Sequence, residues 1–179
     1  MSRHLILVGL PGSGKSTVGK LVADGLNAPL IDVDSLLIRE MGMPVAQIFG
    51  MVGEPRFRKM EHDAVLAALH ASPAVVVPGA GWAAQPGQLE QARRVATIIY
   101  LKCTATVASR RSGQSEARPL LEGGDPLERM RELLKVREPF YRLADYEVAA
   151  ESGAPATVAE GVIRVATGSA GWSRAILSK

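Results

Sequence analysis

Aromatic residues and long apolar runs are scarce in this chain of 179 residues. Aromatic side chains make up only 4% of it, which argues against the stacking platforms that bind single-stranded nucleic acid. No apolar run approaches the roughly 20 residues that a membrane-spanning helix requires. Lysine and arginine form no cluster of the nucleic-acid-binding kind, and the formal net charge is only +3. We therefore expect no nucleic-acid or membrane partner, and we assign the small basic excess to anionic small molecules.

Cysteine and histidine are also sparse, which limits metal and redox chemistry. Cys103 is the only cysteine, so an internal disulfide and a cysteine-based zinc site are both excluded. It lies beside an apolar segment, and a buried, inert thiol is a better interpretation than a reactive one. The three histidines do not have the spacing of metal ligands, and we assign them no role.

The remaining composition is that of an ordinary globular domain. Hydrophobic residues make up 47% and charged residues 22% of the chain, and the length suits one domain with a substantial core. We expect this domain to span residues 1–166, with a poorly ordered tail over 167–179. The first motif begins at residue 9, which leaves no room for a signal peptide, so we expect a cytoplasmic monomer.

A phosphate-binding motif lies close to the N-terminus. Residues 9–16 read GLPGSGKS and match the pattern G-x-x-x-x-G-K-[ST] at each fixed position. Gly12 and Gly14 let the backbone curl so that its N–H groups face phosphate oxygens, and the following helix adds its positive end. Lys15 would then reach the terminal phosphates, and the Ser16 hydroxyl would ligate Mg²⁺. We infer a nucleotide-binding protein.

Apolar strand patterns alternate with helical patterns along the chain. This alternation predicts an α/β fold of the three-layer α/β/α kind, with a five-stranded parallel sheet between helices. The predicted strands are 5–8, 27–34, 73–77, 96–101 and 144–149. The main predicted helices are 16–26, 35–41, 53–71, 88–94, 104–110, 126–142 (interrupted near Pro139) and 157–165.

Two aspartates end the second predicted strand. Asp32 and Asp34 are two residues apart, and side chains at that spacing on a strand share a face. Because ligands bind at the carboxyl ends of strands in an open parallel sheet, we expect both carboxylates to face the ligand crevice. One would orient hydrated Mg²⁺ and the other would accept a proton from a substrate hydroxyl. The alternative is that Asp34 merely caps the helix that begins at Ser35.

Small residues and arginines supply further candidate contacts. Gly79, Ala80 and Gly81 directly follow an apolar strand and would let a ligand approach the backbone, although an ordinary turn has the same composition. The spacing of Arg58 and Glu61 on one helix favours, by itself, a surface ion pair.

The polar stretch 111–119 begins with Arg111 and has Arg118 near its end. That composition favours a lid over the nucleotide, although a plain surface loop has a similar one. Arg118 and Arg137 are candidate anion ligands, since a guanidinium suits phosphate and carboxylate. Many such arginines are nevertheless only solvated charges.

Taken together, these motifs resemble those of the shikimate kinase family, a group of P-loop proteins similar to the nucleoside-monophosphate kinases. The matching segments occur in family order from residue 5 to about residue 165. They are the phosphate loop, Asp32-Val-Asp34, Ile48-Phe49, Gly53-Glu54-x-x-Phe57-Arg58-x-x-Glu61, the turn Gly79–Gly81, Arg110-Arg111 through Arg118-Pro-Leu-Leu121, and Arg137-x-Pro139-x-Tyr141.

The resemblance implies phosphate transfer from ATP, with Mg²⁺, to the 3-hydroxyl of shikimate in aromatic amino-acid biosynthesis. It implies a substrate-binding segment over about 33–61 and a mobile lid over about 111–124, with Lys15, Asp34 and Arg118 as catalytic residues. The implied contacts are Gly12, Ser13, Gly14, Lys15, Ser16, Thr17, Arg111, Arg118 and Pro155 for the nucleotide, Asp34, Arg58, Gly79, Ala80, Gly81 and Arg137 for shikimate, and Ser16 and Asp32 for Mg²⁺.

The chain departs from the family pattern around the glycine turn. Ala80 stands where the family usually has a glycine, and a positive φ there would be strained. Trp82 brings a large indole to the same turn, where it would reshape the pocket. A kinase of another hydroxy acid, such as gluconate, and a binding protein without turnover are the alternatives. The presence of Lys15, Asp34 and Arg118 argues against the second.

Overall fold

The structure is a computed structural model that describes residues 2–112 and 125–175. Within these ranges the chain alternates between strands and helices. The elements in order are β1 (His4–Val8), α1 (Lys15–Leu26), β2 (Leu30–Asp32), α2 (Val33–Met41), α3 (Val45–Val52), α4 (Glu54–Leu69), β3 (Val75–Val77), α5 (Gln88–Ala92), β4 (Ala96–Lys102), α6 (Ala105–Ser112), α7 (Pro126–Tyr141), β5 (Tyr146–Ala149) and α8 (Pro155–Ser169).

The five strands form one parallel sheet in the order β2-β3-β1-β4-β5. β1 lies at its centre, where Leu5 is in register with Val75 of β3 and with Thr97 of β4. The strand is a continuous apolar run because both faces of a parallel sheet are covered by helices. The predicted α/β fold with a five-stranded parallel sheet is confirmed.

Side chains of β1 alternate between two hydrophobic cores. Leu5 and Leu7 pack with residues of α1 and α8 on one face, whereas Ile6 and Val8 face the core formed with α2, α4 and α7. This alternation follows from the two-residue repeat of a strand. Because all five strands are parallel, their carboxyl ends lie at the same edge of the sheet, where the functional candidates lie.

The second strand ends earlier than the sequence pattern predicts. β2 stops at Asp32, and Asp34 lies in the first turn of α2, so the prediction that both aspartates lie on one strand is wrong. The cause is local: the Asp32 carboxylate accepts a hydrogen bond from the Ser35 N–H at 3.1 Å, which caps α2 and ends the strand. An aspartate therefore does cap this helix, as the alternative predicted, but the capping residue is Asp32 and not Asp34.

One helix extends beyond its predicted limit, and another lacks its predicted interruption. α6 includes Arg111 and Ser112, which we expected to begin a loop. α7 continues through Pro139, although proline removes a backbone donor and costs about 3 kcal/mol inside a helix. The hydrogen-bond ladder resumes directly afterwards, since the Arg142 N–H donates to the Glu138 carbonyl at 2.9 Å. Tyr141 is fully buried beyond the proline and fixes this end of the helix in the core.

The C-terminal segment packs along the domain as far as it is described. α8 runs through the predicted boundary after residue 166 and ends at Ser169. The Trp172 indole N–H then donates to the Arg3 carbonyl at 2.8 Å, and the Ala175 N–H donates to the Gly25 carbonyl at 2.9 Å. No helix in the described ranges combines the length and apolar character needed to cross a membrane.

Candidate active site

A cavity of about 510 Å³ opens at the carboxyl edge of the sheet. It brings together the phosphate loop, both aspartates, the turn after β3 and the start of α8, which are far apart in sequence. The residues that line it are Gly12, Ser13, Gly14, Lys15, Ser16, Thr17, Val18, Asp32, Asp34, Val77, Pro78, Ala80, Arg111, Gly153, Pro155 and Val158. A ligand in this cavity would contact most of the sequence-predicted site at once.

The phosphate loop requires glycine at two positions. Gly12 and Gly14 have φ values of 77° and 92°, in the left-handed region that favours glycine. A side chain at Gly12 would also collide with α6, because its Cβ would lie 2.3 Å from the Ala108 carbonyl oxygen. No side chain caps α1, which begins at Lys15. Its first N–H groups therefore face the cavity as an anion site.

Lys15 is held beside this anion site. Its side chain is only 7% exposed, and its ammonium group donates to the carbonyl oxygens of Gly9 and Leu10 at 2.9 and 2.8 Å. These bonds keep a buried cation hydrogen-bonded within the cavity wall, as burial of a charge requires.

Arg58 and Glu61 form a buried pair rather than a surface one. An Arg58 terminal nitrogen lies 2.5 Å from a Glu61 oxygen, and the two side chains are 13% and 1% exposed. Glu54 approaches the same guanidinium from the outer side at 3.3 Å. The interpretation of Arg58 and Glu61 as a surface ion pair is therefore wrong, because the pair is buried. Because a charge inside a protein must be paired, Glu61 fixes Arg58 in one orientation.

Two more charged groups surround Glu61. Burial raises the pKa of the Glu61 carboxyl, and the nearby Asp34 charge adds to that shift, whereas Arg58 and Arg137 oppose it. Arg137 itself is 8% exposed. It forms no ion pair or hydrogen bond with any residue of 2–112 or 125–175. A buried guanidinium without an ion-pair partner among the described residues is suited to bind an anionic ligand.

In the turn after β3, two of the three small residues must be glycine because charged side chains of α4 lie against them. A Cβ at Gly79 would lie 1.9 Å from a Glu61 carboxylate oxygen, and one at Gly81 would lie 2.6 Å from the Arg58 guanidinium. Ala80, in contrast, lines the cavity. Among the described residues, Asn27 is the only non-glycine with a positive φ. The strain expected at Ala80 is therefore absent.

Trp82 points away from the cavity. Its side chain is 2% exposed and belongs to the core beneath α4 and α7, where it borders a separate pocket of about 200 Å³ next to α5. The indole therefore does not reshape the cavity directly, contrary to our expectation. Its backbone N–H closes the turn by donating to the Gly79 carbonyl at 3.0 Å.

The opposite end of the cavity is formed by Arg111 and Pro155. The Arg111 guanidinium donates to the carbonyl oxygens of Ala150 and Glu151 at 2.8 and 3.2 Å, which ties α6 to the loop before α8. Cys103 is buried nearby, and burial raises the pKa of its thiol, in agreement with an inert role. Arg118 lies outside the described residues.

Comparison with known proteins identifies the family. The model of the shikimate kinase family matches residues 11–167. The chain belongs to the shikimate kinase family. It is 43% identical over 162 residues to the shikimate kinase of Caldanaerobacter subterraneus, covering 90% of this chain and 95% of that one. It is 41% identical to the shikimate kinase of Mycobacterium avium, covering 80% and 81% of the two chains.

Solved structures of the shikimate kinase family have the same fold. The Acinetobacter baumannii shikimate kinase, determined in complex with shikimate, superposes with a TM-score of 0.88 at 28% identity and covers 94% of both chains. The Aquifex aeolicus shikimate kinase gives 0.79 at 30% identity, covering 92% of this chain and 96% of that one. A gluconokinase from Sinorhizobium meliloti gives 0.66 at only 17% identity, which shows a shared fold alone. The chain is an ATP-dependent kinase that phosphorylates shikimate.

The shikimate kinase resemblance located most of the cavity lining but left several contacts unassigned. Gly153 and Val158 also line the cavity, and neither belongs to a motif. Glu61 and Tyr141 belong to the segments that match the family, but the resemblance assigns neither a functional role. Their burial, at 1% and 0% exposed, depends on tertiary packing that spacing alone does not reveal.

Proposed function

We propose a division of roles in which the phosphate loop holds ATP and the adjoining space between α4, α7 and the turn after β3 holds shikimate. The observation that carries this proposal is the single cavity lined by Lys15, Asp34 and Ala80. Donor and acceptor would thus meet at one cavity, and phosphoryl transfer depends mainly on such positioning and on charge stabilisation.

The donor side would use the phosphate loop. The phosphates would bind to backbone N–H groups of residues 12–17, which include Ser13, Thr17 and the start of α1. Lys15 would leave the carbonyl oxygens of Gly9 and Leu10 and pair with the terminal phosphates. Arg111 and Pro155, which line the far end of the cavity, would flank the adenine. Arg118 remains a predicted phosphate contact.

The residues present fit a Mg²⁺ ion. The Ser16 hydroxyl and the Asp32 carboxylate line the same cavity, and oxygen donors of this kind suit Mg²⁺. The described residues hold no group of three or more His, Cys, Asp or Glu side chains suited to a metal. Mg²⁺ commonly keeps several waters and takes its other ligands from substrate phosphates. When bound, it would neutralise charge on the phosphates, with Ser16 as a direct ligand and Asp32 acting through water.

The acceptor side would bind the shikimate carboxylate between Arg58 and Arg137. Arg58 is already oriented by Glu61 at 2.5 Å, and Arg137 supplies a buried cation. The backbone of Gly79, Ala80 and Gly81 would line the sugar-like ring, which can approach closely because the turn lacks bulky side chains.

Asp34 would accept the proton of the attacking hydroxyl. The shikimate 3-oxygen forms a bond to the γ-phosphorus, the bond from that phosphorus to the β–γ bridging oxygen breaks, and ADP leaves. The proton of the hydroxyl passes to the Asp34 carboxylate. Asp34 lines the cavity together with Lys15, which supports a position between acceptor and donor.

Arg137→Met tests this arrangement, with Arg142→Met, at the C-cap of the same helix, as a matched control. Arg142 is an exposed arginine that pairs with Glu138 at 3.0 Å. Loss of one partner of a buried, hydrogen-bonded charge pair costs about 2–5 kcal/mol. We therefore expect Arg137→Met to raise KM for shikimate by at least about 30-fold with little change in KM for ATP. An Arg137 variant that behaves like the Arg142 variant would overturn the acceptor site.

We also propose that the chain acts as a monomer. Sedimentation equilibrium at assay concentrations checks this part of the proposal. A stable dimer whose dissociation abolishes turnover would contradict it.

A further inference from the structure

Tyr141 links helix α7 to the turn that borders the acceptor side of the cavity. Its hydroxyl donates a hydrogen bond to the Ala80 carbonyl oxygen at 2.6 Å, a strong bond for this pair of groups. The side chain is fully buried. Its ring packs against Tyr100 with centroids 5.3 Å apart, so the hydroxyl is held in one place.

Few side-chain hydrogen bonds reach the carbonyl oxygens of the turn. Within the described ranges, the other side chain that approaches a carbonyl of the turn is Gln85, whose amide lies 3.4 Å from the Gly81 oxygen, beyond ordinary hydrogen-bond length. Gly79 and Gly81 carry no side chain with which to pack. The buried Trp82 side chain and the bond from its N–H to the Gly79 carbonyl hold the end of the turn, whereas the Tyr141 hydroxyl is the group that holds the Ala80 carbonyl.

Arg137 and Tyr141 are four residues apart on α7, so they lie one above the other on the same face of the helix. Arg137 lies close enough to Glu61 to lower its pKa, and Glu61 borders Gly79 of the turn, whereas Tyr141 holds the Ala80 carbonyl. One helix thus carries the cation for the substrate carboxylate and the clamp for the opposing backbone. Because Tyr141 holds the Ala80 carbonyl, it also fixes the distance between Arg137 and the backbone of the turn.

We propose that Tyr141 is a positioning residue for the acceptor: its hydroxyl holds the turn 78–82 against α7 so that the pocket between Arg137 and Ala80 keeps its width before shikimate binds. This inference rests on the acceptor site proposed above. Preorganisation of this kind lowers the free energy lost on ordering the site. The residue acts on shikimate binding and has no direct contact with the nucleotide.

Tyr141→Phe tests the inference because it removes the hydroxyl and keeps the ring. We expect KM for shikimate to rise about five- to tenfold, the loss of one buried neutral hydrogen bond. KM for ATP should stay within about twofold of wild type. Tyr100→Phe is the matched control, since the buried Tyr100 hydroxyl has no hydrogen-bond partner among the described residues. That variant should leave both KM values unchanged.

Trp82 supplies a direct binding readout. The chain has two tryptophans, so a Trp172→Phe background leaves Trp82, directly after the turn, as the only indole emitter. Titration with shikimate should give a Kd that Tyr141→Phe raises by the same factor as KM.

The outcomes separate this inference from the proposed acceptor site. An unchanged KM for shikimate in Tyr141→Phe, an equal rise in both KM values, or a variant that does not fold would each overturn the positioning role. If Arg137→Met still weakens shikimate binding, the acceptor site stands and only the role of Tyr141 fails. If Tyr100→Phe raises KM for shikimate as much as Tyr141→Phe does, loss of any buried hydroxyl in this part of the core is responsible, and the role of the bond to Ala80 is overturned.

Discussion

Glycine at positions 79 and 81, but not at 80, should be essential for shikimate binding. At Gly79 an added methyl group would lie 1.9 Å from a Glu61 oxygen, whereas real Cβ atoms need more than about 3 Å. Glu61 is 1% exposed and has no open solvent to move into. Gly79→Ala must therefore displace the carboxylate by more than an ångström, which breaks its 2.5 Å contact with Arg58.

The size of the effect follows from that contact. A hydrogen bond between charged groups contributes about 1.5–3 kcal/mol. If its loss leaves Arg58 misplaced, KM for shikimate should rise about 10- to 100-fold, at 1.4 kcal/mol per tenfold. Gly81→Ala should act similarly, because its methyl group would lie 2.6 Å from the Arg58 guanidinium. Ala80→Gly, which meets no such contact, should stay within about twofold of wild type.

Steady-state kinetics with shikimate varied at saturating ATP, and the reverse, provide the assay. Thermal unfolding of each variant checks that the fold is retained. The reasoning would be refuted if Gly79→Ala and Ala80→Gly had the same KM for shikimate, or if Gly79→Ala raised both KM values equally.

Three further predictions follow from other parts of the structure. Asp34→Asn should abolish turnover and retain ATP binding, since it removes the proton acceptor and leaves the phosphate loop intact; full activity would sink the role of Asp34. His4 accepts a hydrogen bond from the Ala74 N–H at 3.2 Å, and burial lowers its pKa, so the unfolded chain binds more protons and stability should fall as pH drops below about 6.5. Urea unfolding at pH 7.5 and 5.5 should show a larger loss for wild type than for His4→Gln, and equal losses would speak against this account. Cys103 should react with a thiol reagent only on unfolding, because it is 3% exposed and its pKa is raised; rapid labelling of the native enzyme would disprove this.

The sequence was most informative where a motif is local. The phosphate loop lies between a strand and a helix that are adjacent to it in sequence. The positions of its glycines and of the helix start could therefore be predicted from this short segment alone. The alternation of apolar strands with helical segments likewise predicted the parallel sheet. Strand and helix limits were less accurate, because Asp32 ends β2 through a side-chain bond to Ser35 that competes with continued extension.

Contacts between distant segments were beyond the reach of pattern alone. Arg58 and Glu61 have the spacing of an ordinary surface pair, and only the approach of the turn after β3 buries them. Similarly, Trp82 follows that turn in sequence, but the core beneath α4 and α7 takes up its side chain. The role of each residue depends on which segment packs over it, and a single sequence does not specify that packing.

The most direct test of the central claim is acceptor-dependent ADP release by the wild-type enzyme. With ATP and Mg²⁺ present, a coupled assay should show rapid ADP formation with shikimate and only background formation with gluconate or with no acceptor. Phosphorus NMR of the product should show a phosphate monoester at the 3-oxygen. Equal rates with all three conditions, or faster release with gluconate, would contradict the assignment of this cavity to shikimate.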